Sequence, residues 1–147
     1  MVELASGNLL DARVDALVNP VNTVGVMGKG LALQFKRAFP RNFAAYTAAC
    51  KRGEVAIGRM FVFEEDTPRF IINFPTKQHW RDPSELAYVR DGLLALVGEI
   101  SQRAITSIAV PALGCGLGGL DWTEVERLIR DAFSALPTVK ALVFAPV

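Results

Sequence analysis

Residues that hold metals are scarce here: the chain has one histidine, His79, and two cysteines, Cys50 and Cys115, among 147 residues. A zinc site needs clustered nitrogen and sulfur ligands, so none is expected, and the carboxylates show no spacing suited to another metal. Two cysteines make no disulfide framework. No apolar run approaches the roughly 18 residues of a membrane span. The N-terminus MVELASGNLL lacks a secretory signal, so the chain reads as soluble and cytoplasmic, with no membrane partner. Neither sign of charge dominates. Sixteen basic against fifteen acidic residues leave a formal charge of +1, which excludes bulk attraction to nucleic acid and makes any such contact local.

What is present is apolar. At 51% hydrophobic residues the chain can fill one core and is too short for two ordinary domains, so residues 1–147 are read as a single domain. Strand-length apolar segments alternate with helix-length ones, which predicts an α/β fold. Strands are expected at Val2 to Ala5, Ala16 to Asn19, Met60 to Glu64, Phe70 to Phe74, Ile108 to Ala112 and Ala141 to Phe144. Most are apolar throughout, as in a sheet covered on both faces. MFVFEEDTPRFIINF reads as a hairpin. Helices are expected from about Leu31 to Phe39 and from about Arg41 to Lys51. A third follows Asp82 as N-cap, with Pro83 at the first position, Glu85 closing a capping box, and an apolar stripe through Ile100. A fourth follows Asp121, with Glu124 in the same capping pattern.

Three apolar strands end in residues suited to chemistry. DALVNPVN ends in Asn19 and Asn22 before the glycine loop NTVGVMGKG. RFIINFPTK ends in Thr76 and Lys77. SIAVPALGCGLGG ends in a second glycine loop. Ligands of open α/β sheets bind beyond the carboxyl ends of strands, so these three ends would line one site if the strands run parallel. Glycine loops before helices suit an anion such as phosphate, although either loop can simply turn. NTVGVMGKG is not a Walker A loop, because its spacing is wrong and no hydroxyl follows Lys29. GCGLGG spells G-x-G-x-x-G, but no acidic strand end follows it, which excludes a Rossmann site. The asparagines can satisfy a turn instead, His79 can pack on Trp80, and Cys115 between two glycines has nothing to activate it.

GNLL, ALVNPVNTVGVMGKGLAL, FPTKQHWRDPS and VPALGCGLGGLDW, in that order over nearly the whole chain, resemble the macrodomain family. Within it they are most similar to the branch of the DarG antitoxin, related to terminal ADP-ribose protein glycohydrolase. The resemblance implies a three-layer α/β/α fold with a mixed, largely parallel sheet, and a cleft for ADP-ribose with no cofactor. The implied ligand contacts are Asn8, Leu9, Asn19, Val26, Met27, Gly28, Lys29, Gly30, Thr76, His79, Gly114, Cys115, Gly116, Leu117, Gly118 and Gly119. Asn8 stands where the family usually has an aspartate for the adenine amino group, so an amide oxygen would accept that bond without charge. Asn22 matches the asparagine beside the distal ribose, and Lys77 matches the lysine that the DarG-like branch uses in catalysis. Its amine can attack a sugar carbon when deprotonated, or stabilise developing negative charge when protonated.

Two departures refine this. The first loop lacks the aspartate of the better-known hydrolase macrodomains, and Gly118 stands where the protein glycohydrolase has an aspartate. The resemblance thus implies a monomeric glycohydrolase that removes ADP-ribose from thymidine in single-stranded DNA, an antitoxin to a DNA ADP-ribosyltransferase. The alternatives are a hydrolase of ADP-ribosylated glutamate in proteins and a non-catalytic reader of ADP-ribose. DarG-type antitoxins carry a further toxin-binding domain, for which these 147 residues leave no segment over.

Overall fold

A computed structural model describes residues 1–146. Six strands form one sheet: β1 Val2–Ala5, β2 Ala16–Val21, β3 Phe61–Glu64, β4 Phe70–Pro75, β5 Ser107–Val110 and β6 Lys140–Phe144. Their order is β1-β6-β5-β2-β4-β3, and only β3 runs antiparallel to its neighbour. Four α-helices cover it: α1 Gly30–Ala38, α2 Pro40–Lys51, α3 Leu86–Gln102 and α4 Trp122–Phe133.

Side-chain alternation along the central strands divides the core into two faces. Ala16 and Val18 of β2, Phe70, Ile72 and Phe74 of β4, and Ile108 and Val110 of β5 pack with the stripes of α3 and α4. Leu17, Ile71 and Ala109 point the other way, onto Phe35 of α1, while Val21 meets Tyr46 and Ala49 of α2. This is the expected three-layer α/β/α arrangement with a mixed, largely parallel sheet. β4 is buried at every position, Asn73 within its otherwise apolar run included.

Most boundaries move by one or two residues: β2 continues to Val21 and β4 to Pro75, while β5 spans Ser107–Val110 and stops short of Ala112. The start of α3 moves further. The expected cap at Asp82 and Pro83 does not form, and Glu85, extended at φ −124 and ψ 145, precedes the first helical residue without capping by its side chain. The cause is a competing bond, since the Ser84 amide donates to the Gly118 carbonyl at 3.0 Å and keeps this stretch out of the helix. At α4 the expected cap is present: Asp121 accepts from the Glu124 amide at 3.3 Å.

Candidate functional site: a cleft at the ends of parallel strands

β2 lies between β4 and β5 and runs parallel to both, so the three polar strand ends stand side by side. Beyond them opens a cleft of about 920 Å³, within the range of small-molecule sites. Its walls are the two glycine loops, and the connection from Thr76 to Glu85 bridges them. That bridge is fastened throughout. Thr76 N–H donates to Val21 O at 2.8 Å, the Thr23 amide and hydroxyl donate to Gln78 O at 2.9 and 2.8 Å, and the Ser84 amide reaches the second loop.

The first loop is built around Asn22. Its Oδ1 accepts from the amides of Val24, Gly25 and Val26 at 3.0, 3.1 and 3.3 Å, and its Nδ2 donates to Val26 O at 2.7 Å. The Tyr46 hydroxyl, on α2, lies 2.7 Å from Asn22 O and 2.9 Å from its Oδ1. Burial pushes the Tyr46 phenol far above its usual range, so it stays a neutral donor. Asn22 lines the cleft, but it is first the keystone of the loop, with one amide hydrogen unaccounted for. The three amides it collects are spent, so they are closed to a bound anion. The open donors lie further on. Lys29 precedes α1 without capping it, and Gly28, Lys29, Gly30, Leu31 and Ala32 line the cleft, so the first-turn amides and the helix dipole face it.

The second loop, residues 112–120, closes on itself through Cys115 N–H to Ala112 O at 3.1 Å, Gly119 N–H to Gly116 O at 3.1 Å and Leu120 N–H to Gly114 O at 3.0 Å. Gly114, Cys115, Gly116, Leu117 and Gly118 line the cleft. Burial, and then the charge of Asp121, push the Cys115 thiol upward, in keeping with a packed thiol rather than a nucleophile. A Cβ on Gly116 would meet nothing within 4 Å, but its φ of +51 disfavours any side chain. A Cβ on Gly118 would lie 2.4 Å from Ser84 Oγ. Glycine at 118 is therefore required by Ser84 before any ligand is considered.

Lys77 stands half-buried on the bridge, its Nζ 3.4 Å from Trp80 O. Among the described residues neither it, Lys29 nor Arg81 has a carboxylate within 4.0 Å. These unpaired cations suit an anionic ligand. Asn8, Leu9, Val26 and Thr76 also line the cleft. Asn8 Oδ1 already accepts from Leu10 N at 3.0 Å, capping the short turn Leu9–Asp11. That leaves one lone pair for an adenine amino group.

Four expected contacts lie outside the lining. Asn19 is fully buried, and its amide donates to Asn73 Oδ1 at 3.1 Å and to Met27 Sδ at 3.8 Å. Strand alternation turns it into the α2 layer, where Asn42 also bonds Asn73. Met27 is 1% exposed in the same layer. His79 faces solvent, stacks on Trp80 at 5.2 Å and accepts from the Arg81 amide. Gly119 is the left-handed exit of the loop, φ +82, and lies outside the cleft lining.

The lining includes residues outside the expected contacts: Gln34, Trp80, Ser84, Pro111 and Phe144 to Pro146. Ser84 was hidden inside an expected helix start. Phe144 ends β6 and Ala145 and Pro146 follow it; that carboxyl end joins the others only because β6 pairs parallel with β5. Trp80 was in view within FPTKQHW, without a signal of its side.

The Macro domain family model matches residues 18–129. A protein of Thermus aquaticus named DNA ADP-ribosyl glycohydrolase is 56% identical over 150 residues, which cover 100% of this chain and 42% of that protein. The solved macrodomain of Mycobacterium tuberculosis DarG matches with a TM-score of 0.98 and 56% identity, over 100% of this chain and 99% of that one. Thermosipho africanus DarTG in complex with ADP-ribose matches with a TM-score of 0.92 and 34% identity, over 99% of this chain and 42% of that one. The chain thus spans 42% of the length of the curated Thermus aquaticus relative.

Proposed function

This chain belongs to the Macro domain family, and from that membership we propose that its cleft binds ADP-ribose and hydrolyses the bond joining ADP-ribose to thymidine in single-stranded DNA. Residues 1–147 act in this reading as one macrodomain unit. The observation that carries it is the cleft: an uncapped α1 N-terminus, a glycine loop and Lys77 all line it. Paired N–H donors of that kind suit a diphosphate. The name of the Thermus aquaticus relative supports the choice of a DNA substrate.

The helix-end amides and Lys29 would hold the diphosphate, Asn8 the adenine, and Lys77 the reacting end near the distal ribose. Hydrolysis breaks the glycosidic bond with its electron pair leaving on the base, while water supplies oxygen to the sugar carbon and a proton to the base. Lys77 serves best as a fixed cation that offsets the charge developing on the departing base. Among the described residues its one hydrogen bond is donated to the Trp80 carbonyl at 3.4 Å, which leaves further donors of the amine to face the departing base. Asn22 contributes by shaping the first loop, with its remaining amide hydrogen available to the ribose.

A Thermosipho africanus relative is named as a fusion of a DNA ADP-ribosyl transferase with a DNA ADP-ribosyl glycohydrolase. It supports a DNA ADP-ribosyltransferase toxin as functional partner. In this reading the chain acts as a monomer on the modified strand. The test is release of ADP-ribose from a thymidine-modified oligonucleotide and from glutamate-modified protein. Release from DNA alone is expected. Release from protein alone would reassign the substrate, and binding without release would make the chain a reader.

A further inference from the structure

The exposed end of the bridge carries three planar side chains in a row. The His79 and Trp80 rings stack with centroids 5.2 Å apart and planes 30° apart, and the Arg81 guanidinium carbon lies 4.5 Å from the indole centroid. Trp80 remains 40% exposed and forms part of the cleft wall. A turn from Asp82 N–H to His79 O at 3.0 Å sets this geometry, and the bonds from Thr23 to Gln78 and from Ser84 to Gly118 hold the segment on either side. Lys77, four residues before Arg81, directs its Nζ to the Trp80 carbonyl.

An exposed tryptophan padded by its neighbours is often simple surface packing, but three observations tell against that here. The stack adjoins the cleft instead of standing alone. All three groups are of the kinds on which unpaired bases stack, namely aromatic rings and a guanidinium plane. Lys77 and Arg81, neither with a carboxylate within 4.0 Å among the described residues, add two unpaired cations beside the stack that can meet a phosphate, although the chain carries only +1 overall.

We propose that the His79–Trp80–Arg81 stack is a nucleobase platform, taking a base next to the modified thymidine in a single strand while Arg81 meets the adjoining phosphate. The proposal rests on the DNA reading above and adds how the strand, as distinct from its ADP-ribose, is recognised. Stacking of this kind is tolerant of sequence, so the platform would serve many flanking bases.

The experiment compares kcat/KM for ADP-ribose release from ADP-ribosyl-thymidine nucleoside and from the same nucleoside within a short single strand. For the wild type the strand is expected to be the better substrate by roughly tenfold, about the worth of one stacked base. Trp80→Ala should bring that ratio close to one, and Trp80→Phe should keep most of it. A wild-type ratio near one, or a ratio that Trp80→Ala leaves unchanged, would overturn the platform. A second arm measures binding of a labelled, unmodified oligothymidylate by fluorescence anisotropy. If the wild type releases ADP-ribose from neither substrate, the DNA-hydrolase reading fails, and this arm alone decides the platform. Binding weakened roughly tenfold by Trp80→Ala supports it, and absent or unaltered binding overturns it.

Discussion

Asn22 joins the most hydrogen bonds of any side chain near the cleft, and nearly all of them are internal to the protein. Three amides and a tyrosine hydroxyl converge on its Oδ1, in a pocket where the residue is 6% exposed. Removing it leaves three partly buried amides without their acceptor, while the tyrosine hydroxyl keeps the residue 22 carbonyl, at about 1–3 kcal/mol for the loss. Asn22→Ala should therefore lower unfolding free energy by about 2 kcal/mol in urea titrations and weaken ADP-ribose binding through a loosened loop. Equal stability of variant and wild type would refute the keystone role. The residue type and its place before a glycine loop were legible in the sequence. Its role was not, because the partners that fix it are its own backbone and a tyrosine 24 positions away. Asn19 illustrates the same limit: strand alternation sends it beneath the sheet, toward Asn73 of the neighbouring strand.

Elements set the cleft's shape through a few close approaches. α3 rests on β4 where Gly92 faces Phe74, and a Cβ there would come within 2.4 Å of that ring, which is fully buried. Gly92→Ala gains up to about 1 kcal/mol in helix propensity and loses about 1–3 kcal/mol to overpacking. The expected result is a lowered thermal midpoint; a raised one would show that the ring yields freely. At the opposite end of the sheet, Asp15 ties the start of β2 to β5 by accepting from the Thr106 amide and hydroxyl, both at 2.9 Å. Those bonds, the Thr106 amide first, hold its carboxyl below the ordinary 3.8. A depressed folded value means the stabilisation is present above the ordinary carboxylate range and is lost as pH falls through the folded value. Asp15→Asn should cost about 1–2 kcal/mol at pH 7, with the gap to wild type narrowing below about pH 4. Denaturant titrations at pH 7 and pH 3 check this, and a gap independent of pH would contradict it. Capping logic read α4 correctly at Asp121, whereas at α3 a tertiary bond from Ser84 to Gly118 displaced an otherwise well-formed local signal.

At the scale of the molecule, the meeting of three polar strand ends was legible because each strand announced itself by an apolar run and each ended in recognisable punctuation. Parallel pairing of β2 with β4 and β5 then brings those ends together. The contribution of β6 was hidden, since Phe144, Ala145 and Pro146 carry no polar signal, and only sheet order places them at the cleft. The central claim is that this cleft holds ADP-ribose and that Lys77 acts on its bond to thymidine. It is tested most directly by single-turnover release of ADP-ribose from a thymidine-modified single strand, comparing wild type with Lys77→Ala and measuring ADP-ribose affinity alongside, both in EDTA. The account predicts release by the wild type, a loss of at least about 100-fold in the variant's rate on the order of other single electrostatic contacts, and affinity changed far less than rate. Release undiminished in Lys77→Ala, or ADP-ribose binding absent from the wild type, would contradict it.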